Sequence, residues 1–272
     1  MKPLLLSLLL VLTIPTFNQS TSPTPVPIPQ KPLNGKIAFF SYRDGDGEIY
    51  VMDSNGENLQ KLTNNDVSDV LPEWSPDGFQ IAFVSQRDGG DEIYIMNADG
   101  SDVRKISETS ALKYENFAPD WSPDGTQIVF TSYRDGNAEI YVSNVNGENI
   151  TRLTDNDSFD GFPSWSPDGQ QIAYGCGEGA IANICLVSVD GNNPRSLTNA
   201  DATEANWLPR WSPEGNDIYF LTRRVDTTGD GLVIGCDNAM IARVSRSGGT
   251  ETIVSPREMN ISSFNFSSDG TQ

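Results

Sequence analysis

One pentapeptide, repeated, limits what this chain can become. Trp74-Ser75-Pro76-Asp77-Gly78 recurs as Trp121-Ser122-Pro123-Asp124-Gly125 and Trp165-Ser166-Pro167-Asp168-Gly169. It returns altered as Trp211-Ser212-Pro213-Glu214-Gly215 and Phe266-Ser267-Ser268-Asp269-Gly270. Successive copies lie 47, 44, 46 and 55 residues apart. A period of about 45 residues with several short strands per unit marks a sheet repeated radially around an axis. Within each copy Pro presets φ and Gly accepts a positive φ, so the Ser-Pro-Asp-Gly stretch is a tight turn.

The residues after each turn are apolar in unbroken runs: Ile81-Ala82-Phe83-Val84, Ile128-Val129-Phe130, Ile172-Ala173-Tyr174 and Ile218-Tyr219-Phe220. An Arg-Asp-Gly hairpin signal follows at 43–45, 87–89 and 134–136, then Glu48-Ile49-Tyr50-Val51-Met52 and its copies from Glu92 and Glu139. A strand with one wet face alternates polar and apolar residues. Continuous apolar runs need burial on both faces, which each blade of a propeller receives from its two neighbours. The chain is therefore expected to be all-β, a β-propeller of four-stranded antiparallel blades, with the heading tryptophans packed between blades. Aligned on their second strands, the first unit begins where the last one stops. A segment from Ile261 could supply the inner strand of a blade whose other strands come from residues 36–63, which makes five blades. The alternative is an incomplete six-bladed propeller.

Units of the form P-x-W-S-P-D-G, then I-A-F, an acidic turn, I-Y-V-M, D-x-x-G and L-T resemble the TolB-type propeller repeat, a WD-repeat-like family. The resemblance covers about residues 35–272 and rests on four near-intact copies. It implies a scaffold for protein contacts in the cell envelope. Similar propellers also form the non-catalytic part of prolyl-oligopeptidase-like enzymes. The α/β domain and the sixth blade of TolB itself have no counterpart evident in this sequence.

Met1-Lys2 followed by the apolar run Leu4–Ile14 reads as a signal peptide, taken as residues 1–18. That run is too short to cross a hydrocarbon core of about 30 Å as a helix. Residues 19–34, rich in Ser, Thr and Pro, read as an extended linker, and 35–272 as the propeller. The expected location is thus periplasmic or secreted, as a monomer without a membrane span after processing. The formal net charge of −19 argues against nucleic acid as a partner, because its phosphates are met by clustered Lys and Arg.

The chain contains no histidine, which removes Ser-His-Asp hydrolysis and His-containing metal sites. No Gly-rich phosphate loop opens a helix. No cofactor is expected, with one alternative. The fifth unit carries an insertion of about 11 residues in which Asp226, Thr228, Asp230 and Asp237 stand at places 1, 3, 5 and 12. That spacing resembles a calcium loop, against the reading of a polar surface loop. Cys176 and Cys185 flank the hairpin of the fourth unit and are expected to pair, with buried free thiols as the alternative. Cys236 is left over in the insertion.

In an up-and-down blade, the hairpins between second and third strands and the linkers between blades emerge on one face. The linkers vary while the strands repeat, so a partner is expected at Asp66, Asp69, Tyr114, Asp157, Phe159, Asp160, Glu204 and Trp207. The regular Arg-Asp pairs are expected to link neighbouring blades. The functional expectation is an exported protein-binding scaffold without catalysis. The alternative is a carbohydrate-active module, lectin-like or a carboxylate-pair glycosidase.

Overall fold

Apolar residues at consecutive strand positions demand a neighbour on each side, and the chain supplies it by stacking its own repeats. A computed structural model describes residues 35–107, 115–178, 181–200, 204–224, 239–255 and 264–265. The signal peptide and linker expected within residues 1–34 lie outside that set.

The first sheet contains β1 (Lys36–Ser41), β2 (Glu48–Asp53) and β3 (Gln60–Lys61). The second contains β4 (Asp69–Trp74), β5 (Gln80–Ser85), β6 (Glu92–Asn97) and β7 (Arg104–Lys105). The third contains β8 (Asn116–Trp121), β9 (Gln127–Ser132), β10 (Glu139–Asn144) and β11 (Thr151–Arg152). The fourth is β12 (Phe159–Trp165), β13 (Gln171–Glu178), β14 (Ile181–Ser188) and β15 (Arg195–Ser196). The fifth is β16 (Glu204–Trp211), β17 (Asp217–Arg224), β18 (Met240–Ser245) and β19 (Thr252–Ile253). Within each blade every pairing is antiparallel, and one parallel bridge, Ala182 to Ala205, joins the fourth blade to the fifth.

Alternate residues of one strand serve two different cores. Ile81 and Phe83 of β5 join Ile49, Val51, Tyr94 and Met96 between the first and second blades. Ala82 and Val84 of the same strand join Trp121, Ile128, Phe130 and Tyr141 between the second and third. Two further cores follow, one around Trp165, Ile172 and Tyr174, the other around Trp211, Ile218 and Phe220. At about 25 cal/mol per Å2 of apolar surface, each fully buried Phe or Ile contributes roughly 1.5–3 kcal/mol.

The turns behave as their residues dictate. In the second blade the Gly78 amide donates to the Ser75 carbonyl at 2.9 Å, and the Ser75 hydroxyl donates to Asp77 at 2.6 Å. Gly100 and Gly147, in the turns after the third strands, have φ of +85° and +81°. A Cβ there would fall 2.8 Å from the Leu62 carbonyl oxygen and 2.9 Å from that of Ile106, both in the preceding blade. These glycines thus answer a close approach between blades as well as a turn.

Each inner strand carries one distortion that the repeat did not announce. Leu71, Ala118, Phe162 and Leu208 lie at φ between 51° and 56°, each just before a proline and inside a register shift. A left-handed non-glycine residue costs roughly 1–2 kcal/mol, which the inter-blade packing offsets. Proline has no N–H to give the ladder, so the bulge falls where a donor is missing anyway.

The heading tryptophans sit between blades, as expected. The Trp121 indole donates to the Glu73 carbonyl and the Trp211 indole to the Ser164 carbonyl, both at 3.1 Å and both in the preceding blade. The arginines of the hairpins do something other than expected. Arg87 lies 4.7 Å from the Tyr94 ring centroid and pairs with Asp69 at 3.1 Å, all within the second blade. Arg134 lies 4.6 Å from the Tyr141 ring and donates to Asn116, again within its own blade. These arginines staple the strands of one blade, each guanidinium lying over a ring of the third strand and donating to the inner strand. Links between blades come instead from Arg104 to the Val145 carbonyl and from Arg246 to Asp168.

The expected closure through Ile261 lies outside the described residues except at Phe264 and Asn265. Asn265 donates to the Glu73 carboxylate at 3.4 Å. In denaturant titrations Trp121→Phe should cost about 1 kcal/mol more than Trp165→Phe, because the Trp165 indole N–H has no partner among the described residues. Equal losses would show that the indole bond adds nothing to packing.

Candidate binding surface

The residues expected to meet a partner divide by burial. Asp66 and Asp157 are exposed on inter-blade linkers, and Asp66 lines an open groove with Leu62, Val67, Arg87 and Val103. Phe159 and Trp207 are half-buried on the inner strands β12 and β16. Glu204 opens β16 in register with Arg224. Tyr114 lies outside the described residues, as do Asp226, Thr228, Asp230, Asp237 and Cys236.

Asp69 and Asp160 are corrected to architecture. Both are buried, at 0% and 1% exposure, at the start of an inner strand. Asn65 donates to Asp69 and Asn156 to Asp160, each at 2.6 Å. The same asparagines cap the buried Glu48 and Glu139 of the preceding blade through their backbone N–H groups at 3.0 Å. Thr63 and Thr154 hydroxyls donate to those glutamates as well. These two linkers are therefore tied down by polar knots whose carboxylates are buried. Burial, reinforced by the charge of Glu139, pushes the Asp160 carboxyl up to about 6.

The disulfide occupies an informative place. Cys176 and Cys185 are bonded, with Cα atoms 5.9 Å apart. Cys185 stands opposite Tyr174, as Tyr94 stands opposite Phe83 in the second blade. The covalent staple thus takes the place of the Arg-Tyr staple of the first three blades. Alkylation without reduction should leave both cysteines unlabelled in the peptide map; label on either would disprove the bond.

Two groupings escaped the sequence reading. The first is aromatic. Phe117 of β8 meets Tyr133 at 6.1 Å and Phe162 of β12 at 5.4 Å between ring centroids, and Phe162 meets Phe159 at 6.0 Å. All four rings are half-buried, and together they form a ladder across the third and fourth blades at the linker edge. The equivalent positions of the second blade hold Val70, Gln86, Leu71 and Ser68. The ladder therefore belongs to the part of the repeat that varies, which was the available signal.

The second grouping gathers the x of each P-x-W-S-P-D-G unit: Glu73, Asp120, Ser164, Arg210 and, in the degraded copy, Asn265. Asp120 accepts from the backbone N–H groups of Trp121 at 2.9 Å and Trp165 at 2.6 Å. Arg210 of the fifth blade acts electrostatically on Glu73 of the second and Asp120 of the third. Blades so far apart in the chain can meet only across the axis, so these residues line it. Burial pushes the Glu73 carboxyl up to about 7, with the charge of Asp120 adding and Arg210 and Asn265 opposing.

Relatives place the chain. The family model described as the TolB beta propeller domain matches residues 28–112 and 107–261. The chain belongs to the TolB β-propeller domain family. The Tol-Pal system protein TolB of Geobacter sulfurreducens is 49% identical over 47 residues, which is 17% of this chain and 11% of that relative. The match thus spans about a ninth of the curated relative's length. TolB from Acinetobacter baumannii superposes with a TM-score of 0.69 at 23% identity, over 87% of this chain and 56% of that one. An oligogalacturonate lyase from Vibrio parahaemolyticus gives 0.59 at 14% identity, over 84% and 64%. At these identities the likeness is one of fold.

The raised Glu73 carboxyl has a consequence for stability. Below the ordinary carboxylate value of 4.5 it is protonated folded and unfolded, with no effect. As pH rises from there to about 7, the unfolded chain releases the proton first and stability falls. Asp160 acts in the same direction up to about 6. Glu73→Gln should therefore gain melting temperature over the native protein between pH 5 and 8 and show no such gain near pH 4. A pH-independent difference would remove the buried-carboxyl account.

Proposed function

We propose that this propeller is an exported, non-catalytic scaffold that binds a protein partner in the cell envelope or outside the cell. The observation that carries the reading is the aromatic ladder of Tyr133, Phe117, Phe162 and Phe159, three of its rings set on inner strands and Tyr133 on the adjoining hairpin, at the edge where the linkers vary. Partly exposed aromatic rings held in fixed geometry offer contact area at small entropic cost, and interfaces are enriched in them. The apolar run at Leu4–Ile14 supports export. The names of the TolB relatives, components of a Tol-Pal system, favour an envelope partner. The absence of histidine from the chain and the structural engagement of Asp69, Glu139 and Asp160 favour a scaffold over an enzyme.

Immobilised protein should capture a defined partner from an envelope extract of the cells that make it. Phe159→Ala with Phe162→Ala should weaken that capture about tenfold or more, as loss of a central aromatic anchor does. Unchanged capture by the double variant, with melting unaltered, would sink the proposal.

A further inference from the structure

The charges around the aromatic ladder identify the chemistry of what sits on it. Among the described residues of the first three blades and their linkers, the cations at this edge are already committed. Lys61 pairs with Asp44 at 3.1 Å and Glu48 at 3.3 Å, and Lys105 with Asp88 at 2.8 Å. Arg152 holds Asp135, Glu139 and Asp155 at 3.5, 2.8 and 2.9 Å. Arg87 is taken by Asp69, while Arg43 and Arg134 lie over tyrosine rings of their own blades. The carboxylates outnumber them. Glu115 and Asp157 are exposed and have no ion-pair partner among the described residues.

Those two carboxylates flank the ladder. Glu115 lies two residues before Phe117, and its carbonyl accepts from the Tyr133 backbone N–H at 3.2 Å. Asp157 lies two residues before Phe159. An acidic segment laid on the rings would bring like charges together as water leaves, a cost that excludes it on a chain of net charge −19. A segment without charge would leave two carboxylates partly desolvated and unpaired.

We infer that the partner of the ladder presents a basic, apolar peptide segment. An aromatic or branched aliphatic side chain rests on the Phe117, Phe162 and Phe159 rings, and Lys or Arg residues on either side meet Glu115 and Asp157. The inference rests on the scaffold reading above and adds the chemistry of the bound segment. Complementary charge at the rim steers the encounter and selects the partner, while the rings supply most of the contact.

A phage-displayed library of random heptapeptides, selected on the full protein, tests this without knowledge of the partner. Selected peptides should be enriched in Lys or Arg together with Trp, Phe, Leu or Ile. Selection on Glu115→Lys with Asp157→Lys, both exposed and so harmless to folding, should lower recovery of those peptides about tenfold, the factor expected for 1.4 kcal/mol. It should also remove the basic bias, and raised salt should weaken binding to the native protein. Peptides without basic residues, or recovery indifferent to the double reversal, would overturn the inference. In that case, if Phe159→Ala still abolishes recovery, the ladder remains a docking surface and only the charge argument falls. If recovery ignores Phe159→Ala as well, the scaffold reading fails with it.

Discussion

Packing of one blade against the next is the constraint from which the rest of this protein follows. Each middle strand gives alternate residues to two separate cores, so no blade can bury its apolar surface alone. Phe83 and Ala82 are neighbours in sequence and belong to different interfaces. The tryptophan indoles, the turn glycines and the arginine that reaches across to the Val145 carbonyl all serve the same junctions. Stability in such an array is a sum over neighbouring interfaces, and a change within one blade is felt in the next.

That constraint leaves only certain positions free to vary. The residues at the blade junctions are held by size, and the linkers are tied at their bases by knots such as Glu139 with Thr154, Asn156 and Asp160. What remains is the inner edge: the bulged residues, the rings that meet across β8 and β12, and the x before each heading aromatic. The proposed docking surface lies there, on strands braced from both sides. A rigid base under a variable edge is how a propeller presents a binding site without lowering its own stability.

How much of this was legible in sequence differs by element. The strands, their order, the turns and the burial of both strand faces could be read directly, because a run such as Ile81-Ala82-Phe83-Val84 states its own environment. The pairing of Cys176 with Cys185 followed from their places on adjacent strands. The fates of Asp69 and Asp160 did not. Both look like loop carboxylates available to a partner, and only their burial with Asn65 and Asn156 makes them structural. The arginine staples were misjudged for a related reason: sequence shows an Arg beside an Asp and says nothing of which tyrosine face the guanidinium covers.

By itself, then, the sequence determined the repeat, the strand content and the need for burial on two sides, since these depend on residues a few positions apart. Tertiary structure alone decided which residues from different units meet. Glu73, Asp120 and Arg210 are separated by 47 and 90 positions and become neighbours only because successive blades turn their inner strands toward one axis. The aromatic ladder arises in the same way, from β8 and β12 brought side by side. Local pattern encodes the blade; the way blades pack encodes the surface they share.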